Sequence, residues 1–211
     1  MAISEIASKR ATTQGENISS LALAVPGGIS AANNLIVVAG SAWTGTDAPV
    51  VSVSDTKGTT FTVYQSQWGS GENVWSLFIA IGKAASSGAD TVTVSFSVGA
   101  VSSSFSLDLF EGQDLTTPLR TDGGRATGTS STPSTTVIAT ASDLILGVLT
   151  PDLASVSLTP GSGYTQIGEY EDNSSSQAHN FEFRTNAGAN PTVNWTMGSS
   201  QVWSVYRIAI R

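Results

Sequence analysis

Asn34-Leu35-Ile36-Val37-Val38-Ala39-Gly40 opens on a polar residue, runs through five apolar ones and stops at a glycine. A run that short and that rich in β-branched residues predicts a strand. Asp143-Leu144-Ile145-Leu146-Gly147-Val148 repeats the pattern later in the chain, and its surroundings repeat as well. Gly58-Thr59-Thr60-Phe61-Thr62 answers Gly161-Ser162-Gly163-Tyr164-Thr165, and Gly88-Ala89-Asp90-Thr91-Val92-Thr93-Val94 answers Gly188-Ala189-Asn190-Pro191-Thr192-Val193-Asn194. Ser104-Phe105-Ser106-Leu107 answers Val202-Trp203-Ser204-Val205. Four matched segments in one order, at similar spacing, point to an internally duplicated unit.

Working outward, period-two runs of Val, Ile, Thr and aromatic residues alternate with Gly, Pro, Ser, Asn and Asp clusters. They predict strands over 17–25, 34–43, 49–54, 59–68, 73–83, 90–97 and 102–111. After a glycine-rich break they predict 133–141, 143–150, 155–159, 164–171, 177–184, 191–196 and 201–210. The expected fold is all-β, an antiparallel jelly-roll β-sandwich built from a duplicated seven-strand unit. Residues 1–16 read as an N-terminal arm or a first edge strand ordered by a neighbour, and 17–211 as the β-sandwich domain, with pseudo-repeats 17–112 and 125–211. Leu115, Pro118 and Leu119 make the joining segment look partly packed, which favours one interlocked sandwich over two tandem small ones.

Composition narrows function by exclusion. With 40% hydrophobic residues the chain can build a core, while charged residues at 12% and 21 glycines suit a turn-rich all-β surface. No cysteine means no disulfide framework, thiolate metal site or cysteine nucleophile. A net charge of −7 repels phosphate, so neither nucleic acid nor an anionic membrane is an expected partner. The opening Met1 to Arg10 has no apolar run, so no signal peptide is expected. Nor is any apolar run long enough to span a bilayer as a helix.

The strand opened by Asn34, the turn and strand Asp55 to Thr62, the strand Gly88 to Val94 and the ending Phe110-Glu111-Gly112 together resemble a known module. It is the jelly-roll β-sandwich of tailed-phage structural proteins and bacterial multidomain surface proteins. In outline it is also similar to concanavalin-type lectins and carbohydrate-binding modules. The resemblance covers most of residues 17–211, on turn and core positions that specify fold rather than activity. It implies a non-enzymatic virion protein, either a capsid decoration or cement protein seated on the major capsid protein or a tail or fibre component. A homo-oligomer located on the virion, with no cofactor, is the corresponding expectation. The other implied reading is a carbohydrate-binding module or receptor-binding domain that holds a surface glycan.

Side chains that could carry chemistry are few. His179, the sole histidine, lies in a polar run and is expected in an exposed loop; alone it cannot make a usual zinc site. Glu169 and Glu171 sit two apart on a predicted strand, a spacing that glycoside hydrolysis can use, but an ordinary solvated strand face is the favoured reading. Trp75, Trp195 and Trp203 alternate with aliphatic residues and are assigned to the core. Trp43 and Trp68 each end a strand before a polar loop, so both finish at one end of the sandwich, with Asp47 and Glu72 beside them. An aromatic pair with carboxylates on a rim suits stacking of a sugar or docking of a partner. The candidate binding rim is therefore Trp43, Asp47, Trp68 and Glu72, extended by Tyr170, Glu171 and Asp172; no metal site is expected.

Overall fold

Asn34 and Asp143 begin their strands for the same physical reason. In the computed structural model of the chain, the Asn34 carboxamide oxygen accepts from the Ala31 amide at 2.7 Å, and an Asp143 carboxylate oxygen accepts from the Thr140 amide at 2.7 Å. Each side chain closes the turn three residues before it, and the apolar run then leaves that turn extended. The structure describes residues 3–45, 47–70, 73–114, 116, 118–120, 123–152, 156–172, 177–185 and 187–211.

Those residues form strands β1 (Ser4–Glu5), β2 (Ala11–Ala24), β3 (Leu35–Thr44), β4 (Val51–Asp55), β5 (Phe61–Ser70), β6 (Asn73–Lys83) and β7 (Thr91–Glu111). These are followed by β8 (Gly124–Ser130), β9 (Ser134–Thr136), β10 (Leu144–Pro151), β11 (Leu158–Pro160), β12 (Thr165–Asp172), β13 (Gln177–Thr185), β14 (Thr192–Met197) and β15 (Gln201–Ile210). Every ladder is antiparallel, and the protein is all-β with a nearly closed, barrel-like sheet, in keeping with a jelly-roll sandwich. The chain divides into two compact units, Ser4–Glu111 and Gly112–Arg211, the latter also taking in Met1–Ile3.

In the first unit, β3 lies between β6 and β7, and β5 flanks β6. β7 is long enough to serve twice: Ser102 to Phe110 pair with β3, while Val92 to Phe96 pair with β4. β2 follows β7 along both stretches, shifting register between Ile18 and Ser20 beside Asn17, whose φ is +52°. That shift lets one strand pair turn a corner and join what would otherwise be two sheets. Inside sit Ile36, Val38, Phe78, Val92, Val94, Phe105 and Leu107.

The second unit uses the same pairing scheme with the corners cut. Its five-stranded sheet runs β12-β13-β10-β15-β8 and its three-stranded sheet β11-β14-β9. β10 corresponds to β3, β13 to β6, β12 to β5 and β11 to β4; β14 with β15 stands for β7, and β9 with β8 for β2. The four matched sequence segments fall at these corresponding places, the last offset by two residues when β3 and β10 are aligned. An offset of two keeps each side chain on its face. The core here is Ile145, Leu149, Val193, Trp195, Met197, Trp203 and Val205.

Two differences from the sequence reading have clear causes. Residues 1–16, expected as an arm or a first edge strand ordered by a neighbour, pair within their own chain where described: Ala11 to Glu16 with Leu107 to Ser102 and Ser4 with Glu111. An ion cluster fixes them, with Arg10 bridging Glu5 at 2.6 Å and the fully buried Asp108 at 3.2 Å. Residues 124–130, read as part of a glycine-rich break, form β8. A Cβ on Gly128 would lie 2.6 Å from the Trp203 ring, so the glycine is there to let the indole of β15 cross its neighbour.

Candidate functional site

The central strands of the first unit carry three tryptophans in one row. Trp43 of β3 is opposite Trp75 of β6, and Trp75 is opposite Trp68 of β5. Residues opposite one another in a ladder share a face, so the three indoles lie side by side across the sheet. Trp68 and Trp75 stack with centroids 4.8 Å apart and planes 29° apart. Trp75 is only 3% exposed, and Trp43 and Trp68 are half-buried. The row continues the face that holds Leu77 and Ile79, opposite the face that lines the unit's own core.

The structure thus brings Trp43 and Trp68 together at one sheet end, as expected, and inserts Trp75 between them. Asp47 is exposed, and its loop is stitched to the other face of the sheet. The Thr44 hydroxyl donates to the Asp47 carbonyl, Ser76 Oγ to the Pro49 carbonyl at 2.8 Å, and the Val51 amide to Gln65 Oε1 at 2.9 Å. Thr44, Ser76 and Gln65 all alternate with the tryptophans along their strands, so the loop folds away from the rings. Glu72 lies outside the described residues. Tyr170, Glu171 and Asp172 end β12, in the other unit, and their side chains lie outside the described residues.

His179 requires a correction. It is fully buried within β13, opposite Tyr170, and not in an exposed loop. The polar run that suggested a loop stops short of it: Ala178 faces the unit's own core, and the imidazole shares the opposite, equally buried face of β13 with Phe181 and Phe183. Burial pulls its pKa down to about 3, so the ring is neutral at ordinary pH. Glu169 is exposed but engaged, accepting from the Leu158 amide at 3.3 Å and from Gln166 Nε2 at 2.8 Å. It ties edge strand β12 to β11 of the facing sheet. Trp195 and Trp203 are buried in the core, as their spacing predicts.

Three buried acids were not singled out from sequence. Glu182 sits inside the second unit, where its Oε2 accepts from the Gly161 amide at 3.1 Å and Oε1 has no partner. Burial pushes its pKa up to about 9, against the lowering effect of the nearby backbone amides of Gly161 and Asn194. Asn180, two residues back on the same face, accepts from Trp195 Nε1 at 2.9 Å. Asp108 is pushed up to about 7, chiefly by burial and then by the charge of Glu5. Asp90 is buried at the end of the first unit, beside a cleft. The available signal was an acid at core parity: Glu182 in step with Ala178, Asp90 in step with Val92 and Val94.

Among the described residues, no group of three or more His, Asp or Glu side chains converges as a metal would require. Within the second unit Glu182 and His179 lie on opposite faces of β13, so they form no acid–base pair around a common substrate position. What fold and site define together is an antiparallel all-β protein of two similarly paired units, with an aromatic row across one sheet. Comparison of the chain with protein-family models, with curated proteins and with solved structures returns no match.

Proposed function

We propose that this chain is a non-enzymatic structural protein of a virion, a decoration or cement protein that binds the coat surface of a phage head. The observation that carries this reading is how the reactive side chains are used. His179 is sealed in a strand, Glu169 clasps two sheets, Glu182 is held by backbone amides, and Trp75 is buried between its neighbours. Side chains committed to packing suit a rigid part that acts through surface. The sequence resemblance to tailed-phage jelly-roll modules and the acidic, lightly charged composition point the same way.

The contact mode follows from the first unit. β2 forms a ladder with β7 on one side, and its fourteen residues are mostly small and polar. Its other edge suits strand addition by a coat segment, and many modest contacts of this kind add up across a particle. Deleting residues 1–16 is a poor test of attachment, because it removes Arg10 and half of β2 and would unfold the unit. The decisive experiment is quantitative mass spectrometry of gradient-purified particles from the source lysate. Hundreds of copies per particle, of the order of the coat protein itself, are expected for head decoration. A handful would assign the chain to the tail or fibre, and absence from particles would overturn the virion reading.

A further inference from the structure

Three strands at sheet ends are tied off by a side chain. Gln65 of β5 takes a hydrogen bond from the Val51 amide of β4 at 2.9 Å, and Glu169 of β12 takes one from the Leu158 amide of β11 at 3.3 Å. Beside β8, Arg207 Nε donates to the Thr136 carbonyl of β9 at 2.6 Å. Residues 20–24 of β2 have no such clasp among the described residues: they ladder with β7 alone, and Ser20, Ala22 and Ala24 are exposed. The outer edge there keeps backbone amides and carbonyls that a further strand would satisfy, and no charge, proline or bulge within it blocks one.

The sequence of this edge decides what fits it. Residues 20–24 read Ser-Leu-Ala-Leu-Ala, a stretch that matches itself when turned end for end about Ala22. Ala22 then faces Ala22, Leu21 faces Leu23, and Ser20 faces Ala24. Leu21 and Leu23 are half-buried at the margin of the first unit's core, so leucine meets leucine and the apolar layer continues across the junction. The other face carries only small side chains, which leaves both backbones room to approach. The match also has the right length. Register against β7 is regular from Ser20 to Ala24 and shifts before Ser20; beyond Ala24 the chain reaches Pro26, which has no N–H to donate. Charge selects the same occupant: a net charge of −7 sets most surfaces of two copies against one another, whereas no charged residue stands between Glu16 and Asp47.

We propose that two copies of this chain join through that edge, residues 20–24 of one pairing antiparallel with residues 20–24 of the other about a two-fold axis at Ala22. The same patch serves both partners, so the contact closes at two and does not propagate. The β2–β7 pair turns its corner at Asn17, which leaves residues 11–16 outside the junction and available to a coat segment. The dimer stands whether or not the protein belongs to a particle. On a particle it would link two attachment points, so that a modest contact of five residue pairs gains from copy number.

The test is analytical ultracentrifugation of the full chain from micromolar to millimolar concentration, where a monomer–dimer equilibrium is expected. Ala22 is exposed, so a charge there leaves the fold intact and falls on the axis, directly opposite its own copy. Ala22→Lys and Ala22→Glu should each weaken the dimer roughly tenfold or more, and an equal mixture of the two variants should restore it. Cross-linking places the axis independently, because the chain has no cysteine of its own. Ala22→Cys should form a disulfide-linked dimer under a mild oxidant far faster than Gln14→Cys, on the other half of β2. A monomer up to millimolar concentration, a dimer indifferent to both charges, a mixture no tighter than its parts, or equal cross-linking at the two positions would each overturn the proposal.

Discussion

Glu182→Gln is expected to make the protein more tolerant of alkali, and the size of the gain follows from where the carboxyl sits. With its pKa raised from 4.5 to about 9 by burial, Glu182 keeps its proton in the folded chain at pH values where the unfolded chain has released it. A raised acid pKa gives stability that is fully present below about 4.5 and is lost as pH rises through about 9. The slope is about 1.4 kcal/mol per pH unit, so the carboxyl costs at most about 4 kcal/mol between pH 5 and pH 8. Against typical stabilities of about 5–15 kcal/mol this is a large term. Glutamine keeps a carbonyl for the Gly161 amide and has nothing to ionise. Urea unfolding followed by circular dichroism at pH 5, 6, 7 and 8 should find the two proteins within about 1 kcal/mol at pH 5, with the variant increasingly ahead thereafter. Since Asp108 and His179 titrate in both proteins, the difference between the curves isolates Glu182. A flat difference from pH 5 to pH 8 would refute a proton held at that position.

His179 works in the opposite direction. Its pKa is lowered to about 3, so stability falls as pH drops from about 6.5 to 3, and His179→Gln should move the acid unfolding midpoint lower in a circular dichroism titration. Gly128→Leu places side-chain atoms inside the Trp203 ring and should destabilise by roughly 1–3 kcal/mol; Trp203→Leu in the same chain should recover part of the loss, read by a double-mutant cycle. Arg10→Met leaves Asp108 buried without its cation and should lower stability by roughly 2 kcal/mol at pH 8, with a smaller loss at pH 5, where Asp108 holds a proton. Trp68→Ala removes the stack on Trp75 and should cost roughly 2–3 kcal/mol in urea unfolding, with a change in tryptophan fluorescence that Trp195→Phe would not reproduce.

The strands that carry large apolar residues were legible to within a few positions. Both 73–83 and 201–210 match β6 and β15 end for end, because alternation and turn residues act locally. What escaped depends on partners distant in the chain. β8 has no large apolar residue, and its place is set by the Trp203 indole that its glycine admits. The predicted strands 90–97 and 102–111 are one strand, since Ser97 to Val101 look like a turn but are carried extended through the corner. The tryptophan row was half legible: Trp43 and Trp68 were expected at one end, but only the ladder register reveals Trp75 between them. His179 was misplaced because a polar neighbourhood says little about which way one ring turns. Asp90 and Glu182 could be found only by asking what an acid is doing at core parity.

The unbroken run of β7 also sets how the two units respond to partial unfolding. Thr91–Glu111 is one length of backbone bonded to β4 at one end and β3 at the other, with β2 alongside both. Detaching that strand removes hydrogen bonds from β2, β3 and β4 together. In the second unit β14 ends at Met197 and β15 starts at Gln201, and β9 is only three residues long. The β11-β14-β9 sheet can therefore open while β10 and β15 stay bonded. Native-state hydrogen exchange should find one protection plateau across the first unit and two in the second, with Val193 and Trp195 amides exchanging ahead of Leu146 and Val148. A single uninterrupted strand makes half of this chain an all-or-none block, and the short gap at 198–200 gives the other half a seam.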